Sequence, residues 1–427
     1  MTNLILESGV NKYMEFKEID GSYIGGKEGG LDRVPDSRSS IFKDKKLSLQ
    51  EKNRLMRFFK MVNKHIGDGN EVGGGDGDGL ISREDLEMPF VEFLSKKMEL
   101  SKKLREMILY AIAMADYDQD NGDVCKDLLS TKDGIKCLGL YHSSVGRFPG
   151  APGAMIYPIY GQGELPQAFC RRAAVKGCIY VLRMPVDFLL MNKDSGNYEG
   201  VKLASGQELF SNKVIVAPSF IDTSPEDKPS VANVLDYSKD FSLGDSRHKL
   251  AKAICISNAS IKPNSANCLV FFPPRSLNAE HVSSVRVLQL SSNVAVCPPG
   301  MFVTYLSAPC DHNMQGKNLL QSAIDVLFYV PVSGSSTNST SDDENKNLYL
   351  KPSLLWSAFY IQELTSLQGA DDSIFSTPMP DGDLHYNNIV DVTKKLFQKM
   401  YPEDEFSATA NSFNEVDSDF GPEVEEL

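Results

Sequence analysis

The spacing of the apolar residues changes once along this chain, near Gly177, and the change limits the folds open to it. Up to that point, from about Ser48, the period is helical: Leu55, Phe59 and Val62 recur at i, i+4 and i+7, and Ser48 with Glu51 forms a capping box ahead of them. Pro89 opens a second helix carrying Phe90, Phe93 and Leu94, and Ser101 caps a third with Leu104, Ile108 and Ala111 on one side. A fourth helix is expected over about 132–147, with Ile135, Leu138 and Tyr141 in register. After Gly177 come short β-rich runs bounded by turn residues, at 178–183, 186–191, 213–217, 268–272, 285–290, 301–306, 326–330 and 354–360, then a last helix at about 389–400. Helices first and strands afterwards point to an α+β or α/β chain with a helical part and a sheet part.

With 41% of its 427 residues hydrophobic and 24% charged, the chain can bury one large core or two smaller ones, which excludes disorder throughout. Its 44 Lys+Arg against 57 Asp+Glu give a net charge of −13, and no basic patch offsets it, so nucleic acid is excluded as a partner. Nine acidic residues and no Lys or Arg lie between 402 and 427, so −9 of the −13 sits there and −4 is left for the rest. The folded body can therefore approach a membrane surface. Three segments, 67–79, 333–347 and 407–427, read as polar insertions or tails. The eight cysteines form no Cys-x-x-Cys pair and no zinc spacing, and are expected to be reduced thiols. With only the short run Leu4 to Leu6 near the start, and no run of bilayer length, a cytosolic protein is expected.

Three stretches imitate ligand sites. Residues 74–85 resemble a calcium loop, with Asp76, Asp78, Gly79 and Ile81 at positions 3, 5, 6 and 8, but Gly74 occupies the first ligand position and Asp85 the twelfth. The run Asp116-Tyr-Asp118-Gln-Asp120-Asn121-Gly122 has its glycine one place late. A solvated acidic loop is the simpler account, with calcium binding through 74–85 as an alternative. Gly161-Gln162-Gly163 begins like a phosphate-binding turn, but the third glycine is absent. No Gly-x-Ser-x-Gly elbow occurs, and no histidine is nominated for catalysis.

The most informative segment runs from Tyr157 to Gly177. Gly163 ends a turn, Pro166 lies in the first turn of a helix, Gly177 closes that helix as its C′ residue, and Glu164 places a carboxylate at its positive end. Leu165, Phe169 and Ala173 share an inward face, while Glu164 and Arg171 share another. Such a helix can orient a partner protein through opposite charges, or it can be a solvated salt-bridging face.

The run Tyr160-Gly-x-Gly-Glu-Leu-Pro-Gln-x-Phe-x-Arg171 resembles the signature of the Rab GDP dissociation inhibitor and Rab escort family. Similarity continues at 4–16, at Asp20-Gly-Ser-Tyr, at Arg33-Val-Pro-Asp-Ser-Arg38 and at Leu140 to Phe148; Gln162, Phe169-Cys-Arg and the Arg-Val-Pro motif favour the escort branch, in a plant-like form. The resemblance implies a GDP-dissociation-inhibitor-like fold: a mixed multi-sheet, flavoprotein-like domain that lacks its N-terminal dinucleotide-type segment, with an inserted helical domain. The expected parts are sheet strands at 1–47, a helical domain at 48–150, the signature helix and remaining sheet at 151–406, and an acidic tail at 407–427. It also implies an accessory protein, not an enzyme, without a cofactor, that binds GDP-loaded Rab, presents it to Rab geranylgeranyl transferase and carries the prenylated product to membranes. Glu164 and Arg171 match the family's Rab-binding platform, with Gln167 and Arg172 beside them, and Arg147 with Tyr141 matches the surface offered to the transferase. Apolar and Met side chains near 90–94 and 104–114 are the expected source of a prenyl-binding groove, or else plain helix core. Two departures stand out: Asp36 replaces a cysteine of the escort pattern, and Cys178 a glycine. A flavin-dependent oxidoreductase of the same architecture is the alternative from a different class.

Overall fold

The computed structural model describes residues 1–35, 38–67, 81–122, 125–192, 194–218, 241–244, 249–330, 351–364, 366–369, 373–382 and 384–406. Most of the calcium-like loop 74–85, the run 333–347 and the tail 407–427 lie outside them. The chain forms two compact units, one of Glu15–Gln162 with Lys249–Gln362, the other of Met1–Met14, Gly163–His248 and Glu363–Leu427.

The larger unit is built on a seven-stranded sheet in the order Leu354–Glu363, Lys249–Ser257, Phe302–Cys310, Val285–Ser291, Cys268–Phe272, Gly21–Gly25 and Leu31–Arg33. Cys268–Phe272 runs parallel to Gly21–Gly25 and antiparallel to Val285–Ser291, and Lys249–Ser257 pairs antiparallel with Phe302–Cys310 from Lys249 opposite Cys310 to Ser257 opposite Phe302. Alternation sends Ala251, Ala253, Cys255, Val287, Leu306 and Ala308 to one face. There they pack against Leu319, Leu320, Ala323, Ile324 and Leu327 of the helix Asn313–Leu327.

The helical segment belongs to this same unit. Its first long helix, Leu49–Gly67, starts from the expected capping box: Ser48 N donates to Glu51 Oε2 at 3.0 Å and Glu51 N to Ser48 Oγ at 3.3 Å. The helix expected after Ser101 is present in two parts, Lys102–Glu106 and a π-helical turn Met107–Ile112. Ser101 makes no side-chain cap there; its hydroxyl is turned to Glu51, donating to Oε1 at 2.8 Å, and so ties the two helices together. All six residues of the π-helical turn are buried. Behind it, Asp116, Asp118 and Asp120 pair with Arg286, Arg275 and Arg105 at 2.8, 2.6 and 3.5 Å. Two of those arginines come from the sheet part of the chain, so the carboxylates join the helical segment to it.

The smaller unit holds a three-stranded antiparallel sheet of Val186–Met191, Tyr198–Leu203 and Glu208–Phe210, a parallel pair Val214–Val216 with Ile374–Ser376, and the helices Thr2–Glu7, Glu164–Val175 and Asn387–Met400. Expected strands at 178–183 and 326–330 are not formed. The first is an exposed apolar run, with Ile179 and Leu182 more than 80% exposed and no paired neighbour among the described residues, so its β-propensity has no ladder to join. The second coincides with the end of the helix Asn313–Leu327, followed by a single bridge from Tyr329 to Ser353. Among the described residues no helix is long and apolar enough to cross a membrane.

Candidate partner-binding site

The signature folds as its glycines and proline require. Tyr160 and Gly161 take left-handed φ values of +71° and +101°, and the Tyr160 N–H donates to Val294 O at 2.9 Å. Glu164 then begins the helix Glu164–Val175, with Pro166 in the first turn where its missing N–H leaves nothing unsatisfied. At the far end Gly177 is at φ +92°, Gly177 N donates to Ala174 O at 2.9 Å and Cys178 N to Ala173 O at 3.0 Å, the expected C-terminal closure. Ala168 is the buried residue of the helix, flanked by half-buried Leu165, Phe169 and Ala173.

Arg171 and Gln167 are exposed and Glu164 half-exposed, and the three fall on one outward side of the helix. Glu164 and Arg171 are about 10 Å apart along the axis by helical rise. Among the described residues no ion pair engages either. A solvated face that satisfies its own charges would look different. Arg171 instead lies over the ring of Tyr13, 5.5 Å from its centroid. Arg172, about 100° further round the helix, is half-buried and does not share that side; a Cβ at Gly9 would stand 3.8 Å from its Nη2. Tyr13 escapes sequence reasoning, since nothing local marks it as a neighbour of Arg171.

Tyr141 and Arg147 belong to the larger unit. Tyr141 sits half-buried in the last turn of the helix Thr131–Ser144, whose first turn Ser130 caps by accepting from Asp133 N. Arg147 follows Gly146, at φ +65°, and is exposed with its guanidinium over the Phe148 ring at 5.6 Å. The apolar candidates divide. Phe90, Phe93 and Leu94 are plain core, at most 2% exposed. Leu104, Met107, Ile108 and Ile112 are also core, at most 5% exposed, but leave a small crevice between themselves and Leu55 and Phe59. Its free space is about 10 Å³, the volume of a single water-sized sphere, and its lining is wholly apolar.

A dinucleotide does not fit the signature turn. The strand before it, Ile156–Pro158, is three residues long and antiparallel to Phe16–Glu18, so no βαβ crossover leads into the helix. The helix itself opens on the carboxylate of Glu164, which would repel a phosphate. Nor do the described residues contain a group of His, Cys, Asp or Glu able to hold a metal ion. Asp85, the last position of the calcium-like loop, is paired with Lys97 at 2.9 Å, and the Lys97 hydrogen bond holds its carboxyl below the usual range.

Residues 1–367 match the family model described as GDI, GDP dissociation inhibitor. The chain belongs to the GDP dissociation inhibitor family. Within the family it is 48% identical to Rab escort protein 1 of Arabidopsis thaliana over 99% of this chain and 76% of that protein. It is also 28% identical to mouse Rab proteins geranylgeranyltransferase component A 2, covering 95% of this chain but only 58% of that relative's length. The fold is that of the crystal structure of Rab GDI from Plasmodium falciparum, with a TM-score of 0.67 at 19% identity over 95% of this chain and 80% of that one. A mixed multi-sheet family fold with a helical segment is thus what both the sequence pattern and the structure give.

Proposed function

We propose that the chain escorts Rab GTPases: it binds the GDP-loaded form, presents it to Rab geranylgeranyl transferase as a non-catalytic accessory subunit, and holds the prenylated product away from water until delivery. The carrying observation is the outward side of Glu164–Val175, where Glu164, Gln167 and Arg171 stand with no ion pair to either charged group among the described residues, in a chain 48% identical to an escort protein. Unpaired opposite charges on a rigid helix fix the register of a complementary partner. The apolar crevice supports the lipid step. A prenyl chain of about twenty carbons gains about 0.8 kcal/mol per buried methylene, so the gross gain is on the order of 16 kcal/mol. Admitting the prenyl chain requires the packed walls to part, and the cost of parting them is drawn from that gain. Arg147 and Tyr141, on the larger unit, are the groups proposed to meet the transferase. The chain would work in the cytosol and reach membranes only while delivering its cargo.

The test is binding of the purified chain to Rab loaded with GDP or with a GTP analogue. Preference for the GDP form and a loss of at least tenfold for Arg171→Ala are expected; equal affinity for both nucleotide states, or no binding, would refute the proposal. Arg147→Ala should weaken assembly with the transferase and leave Rab affinity unchanged.

A further inference from the structure

We propose that Tyr13 is a positioning residue: its ring holds the Arg171 guanidinium flat and leaves the N–H edges free for an acidic group on the GTPase. This rests on the function proposed above and names one more residue of that site. Arg171 is exposed and makes no ion pair among the described residues, so the Tyr13 ring, 5.5 Å from its guanidinium carbon, is the contact that limits its motion. A cation over an aromatic face keeps its attraction with the plane covered. The uncovered edge of a guanidinium is the geometry that takes a carboxylate through two parallel hydrogen bonds.

Tyr13 is itself held. It ends the 3₁₀ turn Val10–Tyr13, in which Val10 is fully buried, and the turn starts from Gly9 in the left-handed region at φ +70°. The next residue on the helix, Arg172, lies against Gly9. Successive arginines therefore flank the two ends of one turn, Arg172 near Gly9 and Arg171 over Tyr13.

The experiment measures the affinity of the full chain for GDP-loaded Rab in four forms, Tyr13→Phe, Tyr13→Leu, Arg171→Ala and the double Tyr13→Leu/Arg171→Ala, each with an unfolding midpoint. Tyr13→Phe keeps the ring face and should bind like the unaltered chain. Tyr13→Leu should bind about two- to fivefold more weakly, the range of an exposed cation–π contact. The double variant should be no weaker than Arg171→Ala alone, because the ring acts only through that arginine. Unchanged binding by Tyr13→Leu, an equal loss in Tyr13→Phe, or an additive double variant would overturn the positioning role. If Arg171→Ala itself binds normally, the platform fails and Tyr13 loses its role with it; if only Tyr13→Leu is silent, the platform stands and the positioning role alone is lost.

Discussion

Cutting the Asp116–Arg286 pair from either side should give two different penalties. Arg286 is 4% exposed, its Nη2 2.8 Å from Asp116 Oδ1 and also donating to Met114 O, just beyond the buried turn Met107–Ile112. The Asp116 side chain is 34% exposed. After Arg286→Met the carboxylate loses its ion-pair partner, and although Oδ1 is buried the rest of the 34%-exposed side chain still meets water, so the loss should be about 2 kcal/mol. After Asp116→Ala the guanidinium keeps its charge where water barely reaches, and the loss should approach the 3–5 kcal/mol typical of a broken buried pair. In the double variant no charge remains to be desolvated, so its loss should fall short of the sum of the two. Equilibrium urea unfolding at neutral pH, with the slope checked for constancy, measures all three. A larger loss for Arg286→Met than for Asp116→Ala, or strict additivity, would refute the reasoning that burial of the survivor decides the magnitude.

Two further perturbations follow from local geometry. A Cβ at Gly134, in the helix Thr131–Ser144, would stand 2.4 Å from a ring carbon of fully buried Phe90, so Gly134→Ala should destabilise by about 1–3 kcal/mol in a urea titration despite the roughly 1 kcal/mol that alanine gains over glycine in a helix. Burial raises the Glu106 carboxyl above its ordinary 4.5, although Lys102 partly opposes the shift. The fold therefore loses stability as pH rises from 4.5 through the raised value, and the penalty persists above it. Glu106→Gln should raise the melting temperature at pH 7 and leave it unchanged near pH 3.

What was legible in the sequence was what is fixed locally. The capping box at Ser48, the closure at Gly177 and the helix Asn387–Met400 are set by neighbours a few residues away. The misses are elements stabilised by distant partners. Lys249–Ser257 contains two lysines and two alanines, weak β-formers, and is a strand because Phe302–Cys310 pairs with it along its whole length. Asn313–Leu327 was obscured by Gly316, a poor helix residue that packing demands: a Cβ there would meet Ala251 Cβ at 2.6 Å and Cys310 Sγ at 2.7 Å. The candidate site divides in the same way. That Glu164 and Arg171 share a face could be read from the periodicity of one helix and their proposed role from the signature they lie in, whereas Tyr13 beneath Arg171, and Leu55 and Phe59 across the crevice from Leu104, come from other elements.

The acidic run at 116–122 shows why spacing alone misleads about ligands. Alternate carboxylates at Asp116, Asp118 and Asp120 create a demand for positive charge, and a solvent cation or a guanidinium from elsewhere in the chain can meet it. Here Arg286, Arg275 and Arg105 meet it, one to each carboxylate. Asp118 also accepts from Asp120 N at 3.1 Å, which shapes the loop as a ligand loop would be shaped. A cation that belongs to the chain does more than neutralise the loop. Because Arg275 and Arg286 come from the part of the chain that carries the sheet, the pairing fixes where the helical segment, and with it the Leu104–Ile112 wall of the crevice, stands on that sheet. The acidic run at 116–122 is therefore a mounting for the surface proposed to receive the lipid.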